Sequence, residues 1–175
     1  MRTLRLWLIM IILLLLCACT PAATPDDGRC GFYLQVLEDL WNTDAGLNSD
    51  DDLEYLGVDL SGLTHLAPSE RAAIARRFAE NHELTLVEGT WEKLCDEGYI
   101  DRERLVWNDG ILFTIVTNEE AVASMLNTND NPTAFTAFDA QKWRSGIGAI
   151  FWNDCVAQRD GNGVWFYSVG SKAIS

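Results

Sequence analysis

The sequence predicts an α+β domain, with N-terminal helices packed on a curved antiparallel sheet formed mainly by the C-terminal half. Three observations carry this reading. Apolar residues recur at helical spacing through residues 32–43 and 68–81. From residue 104 onward the pattern turns to β-branched and aromatic runs broken by Asp, Asn and Gly turns. The C-terminal strand runs are apolar on both faces, so helices must cover one face and something else must shield the other.

The first helix is expected over residues 32–43. Tyr33, Val36, Leu37 and Leu40 form its stripe, Leu34 and Trp41 widen it, and Gly46 follows its end. Residues 44–54 are acidic, with Asp44, Asn48, Asp50, Asp51, Asp52 and Glu54. An EF-hand loop needs a bidentate Glu at its twelfth place, but counting from Asp44 that place is Tyr55 and Gly46 falls third, so the segment reads as a solvated loop. Leu53–Leu60 reads as a short strand with Leu56, Val58 and Leu60 inward, or as an irregular stretch. Pro68 opens the second helix, over residues 68–81, with Glu70 in its first turn and Ala72, Ile74, Ala75, Phe78 and Ala79 on its apolar side. Leu84–Val87 is strand-like. Thr90 caps a brief helix with Trp91, Leu94 and Cys95 on one side, stopped by Gly98.

Asp109-Gly110 predicts a hairpin with a type I′ turn between residues 104–108 and 111–116. A short helix is expected over Glu119–Leu126 and a polar loop over Asn127–Pro132. Phe135–Asp139 is β-prone, and Asp139–Arg144 reads as a charged, mainly basic loop at a sheet edge. Ile147–Gln158 is a long strand, with Ile147, Ala149, Phe151, Cys155 and Ala157 on one face and Ile150, Trp152 and Val156 on the other. Asp160–Gly163 turns the chain into Val164–Val169, and this hairpin is expected to be the centre of the sheet with Trp152 and Trp165 largely buried. In element order, residues 31–170 resemble the cystatin-like and NTF2-like rolls. That resemblance implies a cone-shaped sheet that holds a ligand or serves an interface, and it carries over no functional residue.

The first twenty residues have a different character. Arg2 and Arg5 precede an apolar run from Leu6 to Leu16, and Leu16-Cys17-Ala18-Cys19 follows. The run is about 11 residues, short for a membrane span of about 20. The segment resembles the signal of a bacterial lipoprotein. That resemblance implies cleavage before Cys19, a diacylglyceryl thioether on its sulfur, acylation of the new amino group, and a lipid-anchored location outside the cytoplasm. Several acyl chains hold firmly what one holds weakly. The expected organisation is residues 1–18 as signal, 19–30 as lipidated cysteine and short tether, and 31–175 as one α+β domain.

The chain has 13 basic and 26 acidic residues; Arg2 and Arg5 leave with the signal, so the remainder has 11 against 26, a net charge of −15. This excludes nucleic acid as a partner and argues against a basic contact with anionic lipid. With Cys19 lipidated, Cys30, Cys95 and Cys155 allow at most one internal disulfide, or stay free as small apolar residues. His65 and His82 have no neighbours in sequence that suggest a relay or a metal. No phosphate loop, HExxH or GxSxG occurs. The expected role is a binding module for a small ligand or an envelope protein, with no cofactor, metal or catalytic residue assigned. A purely structural lipoprotein and an extracytoplasmic hydrolase built on a carboxylate pair are the alternatives. The candidate ligand or interface residues are Lys142, Trp143, Arg144, Trp152 and Trp165. Trp91, Trp107, Trp143, Trp152 and Trp165 together line either a cavity or a core.

Overall fold

A computed structural model describes residues 27–48, 53–126 and 135–175. The signal, Cys19, Asp50–Asp52 and the loop at 127–132 lie outside the described residues. The elements are α1 (Arg29–Asn42), a 3-10 turn (Ala45–Asn48), β1 (Tyr55–Asp59), α2 (Pro68–His82), β2 (Thr85–Glu88), α3 (Trp91–Asp96), β3 (Gly110–Thr117), α4 (Glu119–Leu126), β4 (Phe135–Ser145), β5 (Gly148–Arg159), β6 (Trp165–Ser168) and β7 (Ser171–Ile174). The fold is α+β: the N-terminal helices pack on a sheet to which the C-terminal half contributes most strands.

Local chemistry sets the helix ends. Gly28, at φ 82°, turns the chain into α1. Pro68 starts α2, and the Glu70 carboxylate accepts from the Ala67 N–H at 2.6 Å. The Thr90 hydroxyl accepts from the Lys93 N–H at the start of α3, and Gly98 follows its end at φ 84°.

The strand order is β2-β1-β3-β4-β5-β6, with β7 pairing the first half of β5. The sheet is mixed. β1 pairs in parallel with both β2 and β3, and all later pairs are antiparallel. The parallel half follows from connectivity, because a helix between two strands returns the chain to the end where it began. It also replaces the hairpin expected at Asp109-Gly110. Neither residue takes the positive φ of a type I′ turn. Residues 104–108 form no strand, and the Asp109 carbonyl instead accepts from the N–H groups of Glu54 and Tyr55.

Three further expectations are corrected. Asp139–Arg144 is no edge loop: it is the interior of β4, between β3 and β5. The central hairpin is β4–β5, turning at Ser145–Gly148, while the Asp160–Gly163 turn leads only to the four-residue edge strand β6. The faces of β5 also change phase along its length. Between the pairs Phe138–Cys155 and Ala140–Trp152, β4 uses one residue where β5 uses two, Asn153 and Asp154. Asp154 takes φ 53°, and its N–H donates to the Asp139 carboxylate at 2.8 Å. This bulge puts Cys155 and Ala157 on the same face as Ile150 and Trp152.

That face carries the main core. Leu37 and Leu40 of α1 and Ile74 and Phe78 of α2 pack over Leu56, Phe113, Phe138 and Trp152. Tyr167 on β6 donates to Asp39 of α1 at 2.7 Å, and His82 on α2 bonds Glu38 and stacks on Trp41. A smaller cluster covers part of the opposite face: Leu94, Ile100, Trp107, Leu112, Trp143 and Ala149. Cys95 and Cys155 are free thiols, with Cys155 buried.

Candidate functional site

The five residues expected at a ligand or interface do not come together on a surface. Lys142 is completely buried, and its ammonium donates to the carbonyls of Trp41 (3.1 Å), Thr43 (2.8 Å) and Asp44 (3.0 Å) where α1 ends. Burial lowers its pKa to about 8, against a smaller opposing effect of Asp44. Arg144 donates to Leu47 O and Asn108 O. These two cations clamp the chain around residues 41–48 to the sheet, and their signal in sequence is ambiguous because a charge on a strand normally marks its wet side. Trp143 belongs to the smaller cluster, in edge contact with Trp91. Trp152 is 3% exposed, with the Lys172 ammonium over its ring at 5.2 Å. Trp165 alone borders an open cleft.

That cleft, of about 540 Å³, runs between the first turns of α1 and the outer edge of β6, and Phe32, Trp165 and Tyr167 are its aromatic walls. Phe32 stacks on Trp165 with ring centroids 5.4 Å apart. The indole N–H of Trp165 donates to the Asp27 carbonyl at 3.0 Å, and the Arg29 guanidinium lies over the same ring.

A second cleft, of about 300 Å³, opens between the end of β3 at Thr117, the start of β4 at Phe135 and Thr136, and the segment Thr64–His65 that precedes α2. The connection from β1 runs to α2, which packs beside α1, and that from β3 runs to α4, which packs on β4. His65 stands at the rim of this crevice. One ring nitrogen is 3.1 Å from the hydroxyl of the fully buried Tyr33, and the other is 3.4 Å from the Thr117 hydroxyl. Arg29, Thr64, Glu119, Val122, Phe135 and Thr136 complete the lining. Loss of solvent around the ring, helped by the positive Arg29, lowers the His65 pKa and favours the neutral imidazole. Burial pushes the Tyr33 phenol up to about 12, so it stays protonated. The crevice therefore offers neutral donors and acceptors inside, with one cation and one carboxylate on its walls. Sequence reasoning passed over His65 and Tyr33 because 32 positions separate them. The only hint was Tyr33 placing a hydroxyl within an otherwise apolar stripe.

A third cleft, of about 320 Å³, lies at the ends of β1 and β2, lined in part by Asp59, Arg71 and Lys93. Its cations are already engaged: Arg71 donates to Leu63 O and Leu66 O, and Lys93 to Glu88 O. Among the described residues, no group of three or more His, Cys, Asp or Glu side chains is placed to hold a metal. Among known protein families, curated proteins and solved structures, none matches this chain.

Proposed function

We propose that this is a lipid-anchored protein, attached through Cys19 outside the cytoplasm, whose domain binds a small polar ligand in the His65 crevice. The observation that carries the binding role is the placement of His65 between the Tyr33 and Thr117 hydroxyls at the rim of this cleft. A neutral imidazole between two hydroxyls can reorganise its hydrogen bonds around a guest at little cost. Glu119 on the wall suits a ligand that carries an amine, whereas Arg29 is already paired with Asp27 at 2.9 Å. The anchoring part rests on Arg2, Arg5, the apolar run and Leu16-Cys17-Ala18-Cys19.

Each part has its own test. Intact mass of protein extracted from membranes should correspond to a chain beginning at Cys19 plus diacylglyceryl and acyl groups, and Cys19→Ala should remove the lipid. A chain that retains residues 1–18 would refute the anchor. For binding, amino acids, small dicarboxylates and sugars serve as probes of the His65 ring resonances. A binder should shift them, and Thr117→Val should weaken the effect. No shift with any probe would move the reading to an interaction protein without a ligand, which the exposed apolar residues of β6 and its turn favour.

A further inference from the structure

We infer that the β6 edge is a membrane-docking face, which rests on the reading of Cys19 as the lipid anchor. The Asp27 carbonyl is held by the Trp165 indole, Gly28 turns the chain at φ 82°, and Arg29 lies over the same ring. The tether therefore leaves the domain at a fixed point on β6. Eight chain steps lead from Cys19 to Asp27. Fully extended, they span at most about 28 Å, so this point can never move far from the acyl chains.

The residues flanking Trp165 are among the large apolar ones that the fold leaves exposed, with Leu105, Ile147 and Ile174 elsewhere. Val164 is 60% exposed and Phe166 53% exposed. Both line the cleft of about 540 Å³ whose other wall is the start of α1. The turn that presents them is held open by its own bonds. The Asp160 carboxylate accepts from the N–H groups of Asn162 and Val164, and the Arg159 side chain donates to Gly163 O. The Asp160 charge is thus occupied by backbone donors, which hold its carboxyl below the usual range. β6 also ends the sheet, so among the described residues no strand pairs with its outer edge. An exposed aromatic and a branched aliphatic side chain beside a cleft suit the boundary between lipid headgroups and acyl chains. The acidic composition of the protein calls for apolar insertion here and not for attraction to anionic headgroups.

Two side chains form too small a patch to hold a free domain on a bilayer. The tether changes this by making the contact intramolecular, at an effective concentration in the millimolar range for short linkers. Docking is therefore a property of the anchored chain. It would fix the orientation of the sheet, because Ile147, 90% exposed at the β4–β5 turn, lies at the other end of β5.

The test uses the full lipidated protein in vesicles of phosphatidylethanolamine and phosphatidylglycerol. A photoreactive benzoylphenylalanine replaces Phe166, Val164 or Ile147 in turn, and intact mass is read after illumination. All three positions are exposed, so none asks the core to adapt. Adducts of the mass of one phospholipid are expected at 166 and 164, at least five-fold more abundant than at 147. Equal labelling at all three positions, or none at 166 and 164, overturns docking. A cross-linked protein dimer at 166 overturns it in favour of a second copy on the β6 edge. The same spectra show whether Cys19 carries lipid. A chain without lipid fails the anchor itself, whereas a lipidated chain without adducts fails only the docking.

Discussion

The two faces of the sheet are buried by different means. On one, α1 and α2 lay down many side chains of moderate size, so the cover is shared among Leu, Ile, Phe and Ala residues from several elements. On the other, α3 is only six residues long, and much of the cover comes from the irregular chain before β3. Trp107 lies directly on the backbone of two neighbouring strands. A Cβ at Gly57 on β1 would meet Trp107 Cζ3 at 2.6 Å, and one at Gly110 on β3 would meet Cε2 at 2.0 Å. A loop cannot supply the thickness of a helix, so it closes the gap by bringing a large ring down onto strands stripped of side chains. The helical face should therefore respond to removal of volume, and the Trp107 face to its addition.

The largest effect is expected on the helical side. Trp152→Ala should destabilise by about 3–5 kcal/mol in denaturant unfolding, as for other buried aromatic rings. A cost below about 1 kcal/mol would show that the ring is not packed as described. Lys142→Met comes next. It keeps the length of the side chain but leaves three inward carbonyls at the end of α1 without their donor. A loss of about 3 kcal/mol is expected, together with faster amide exchange through residues 42–48 than elsewhere in α1. If a methionine there is neutral, the ammonium does not hold the helix end.

On the opposite face, Gly110→Ala adds a single methyl where the Trp107 ring already sits. About 1–3 kcal/mol should be lost to overpacking, with Trp107 fluorescence shifted toward the solvent-exposed value. On the helical face, Ala79→Gly would remove a methyl from a buried position, and its cost should come from the helix backbone, at about 1 kcal/mol.

The smallest effect concerns the crevice. Because the folded protein lowers the His65 pKa, the unfolded chain binds more protons below about pH 6.5. Stability from this site is present above the unfolded value and is lost as pH falls through the folded one. The ring is exposed on one side, so the slope should be shallow. Titration of the His65 ring by NMR should give a midpoint below the ordinary histidine value, and Tyr33→Phe should change that midpoint without unfolding the protein. An unshifted midpoint would remove the argument for a neutral imidazole in the crevice.

Much of the secondary structure was legible because it is local. The stripe of Tyr33, Val36, Leu37 and Leu40, the Pro68 start of α2, the Thr90 cap and the Asp160–Gly163 turn each depend on residues within a turn or two of one another. The α+β class and the burial of Trp152 follow from the same periodicities. The misread places are those where a local pattern has more than one long-range solution. Asp109-Gly110 has the composition of a tight turn, yet Gly110 is small because a ring lies on it, and β3 pairs with strands on either side instead of folding back. Lys142 and Arg144 suggested a wet edge, yet their charges are met by carbonyls about a hundred positions earlier in the chain. The alternation along β5 was followed straight through Asp154, where one extra residue reverses it.

By itself, then, the sequence determined where helices and turns begin, which stripes are apolar, and the lipoprotein-like start on which the anchoring proposal rests. Only the tertiary structure decided that β1 lies in parallel between β2 and β3, that a buried ammonium closes α1, and that Tyr33, His65 and Thr117 meet at one crevice. The physical reason is range. Propensity, capping and amphipathic period act between neighbours in the chain, whereas strand partners, close backbone approaches and the matching of a buried charge are settled between residues tens of positions apart, by whichever packing satisfies them all at once.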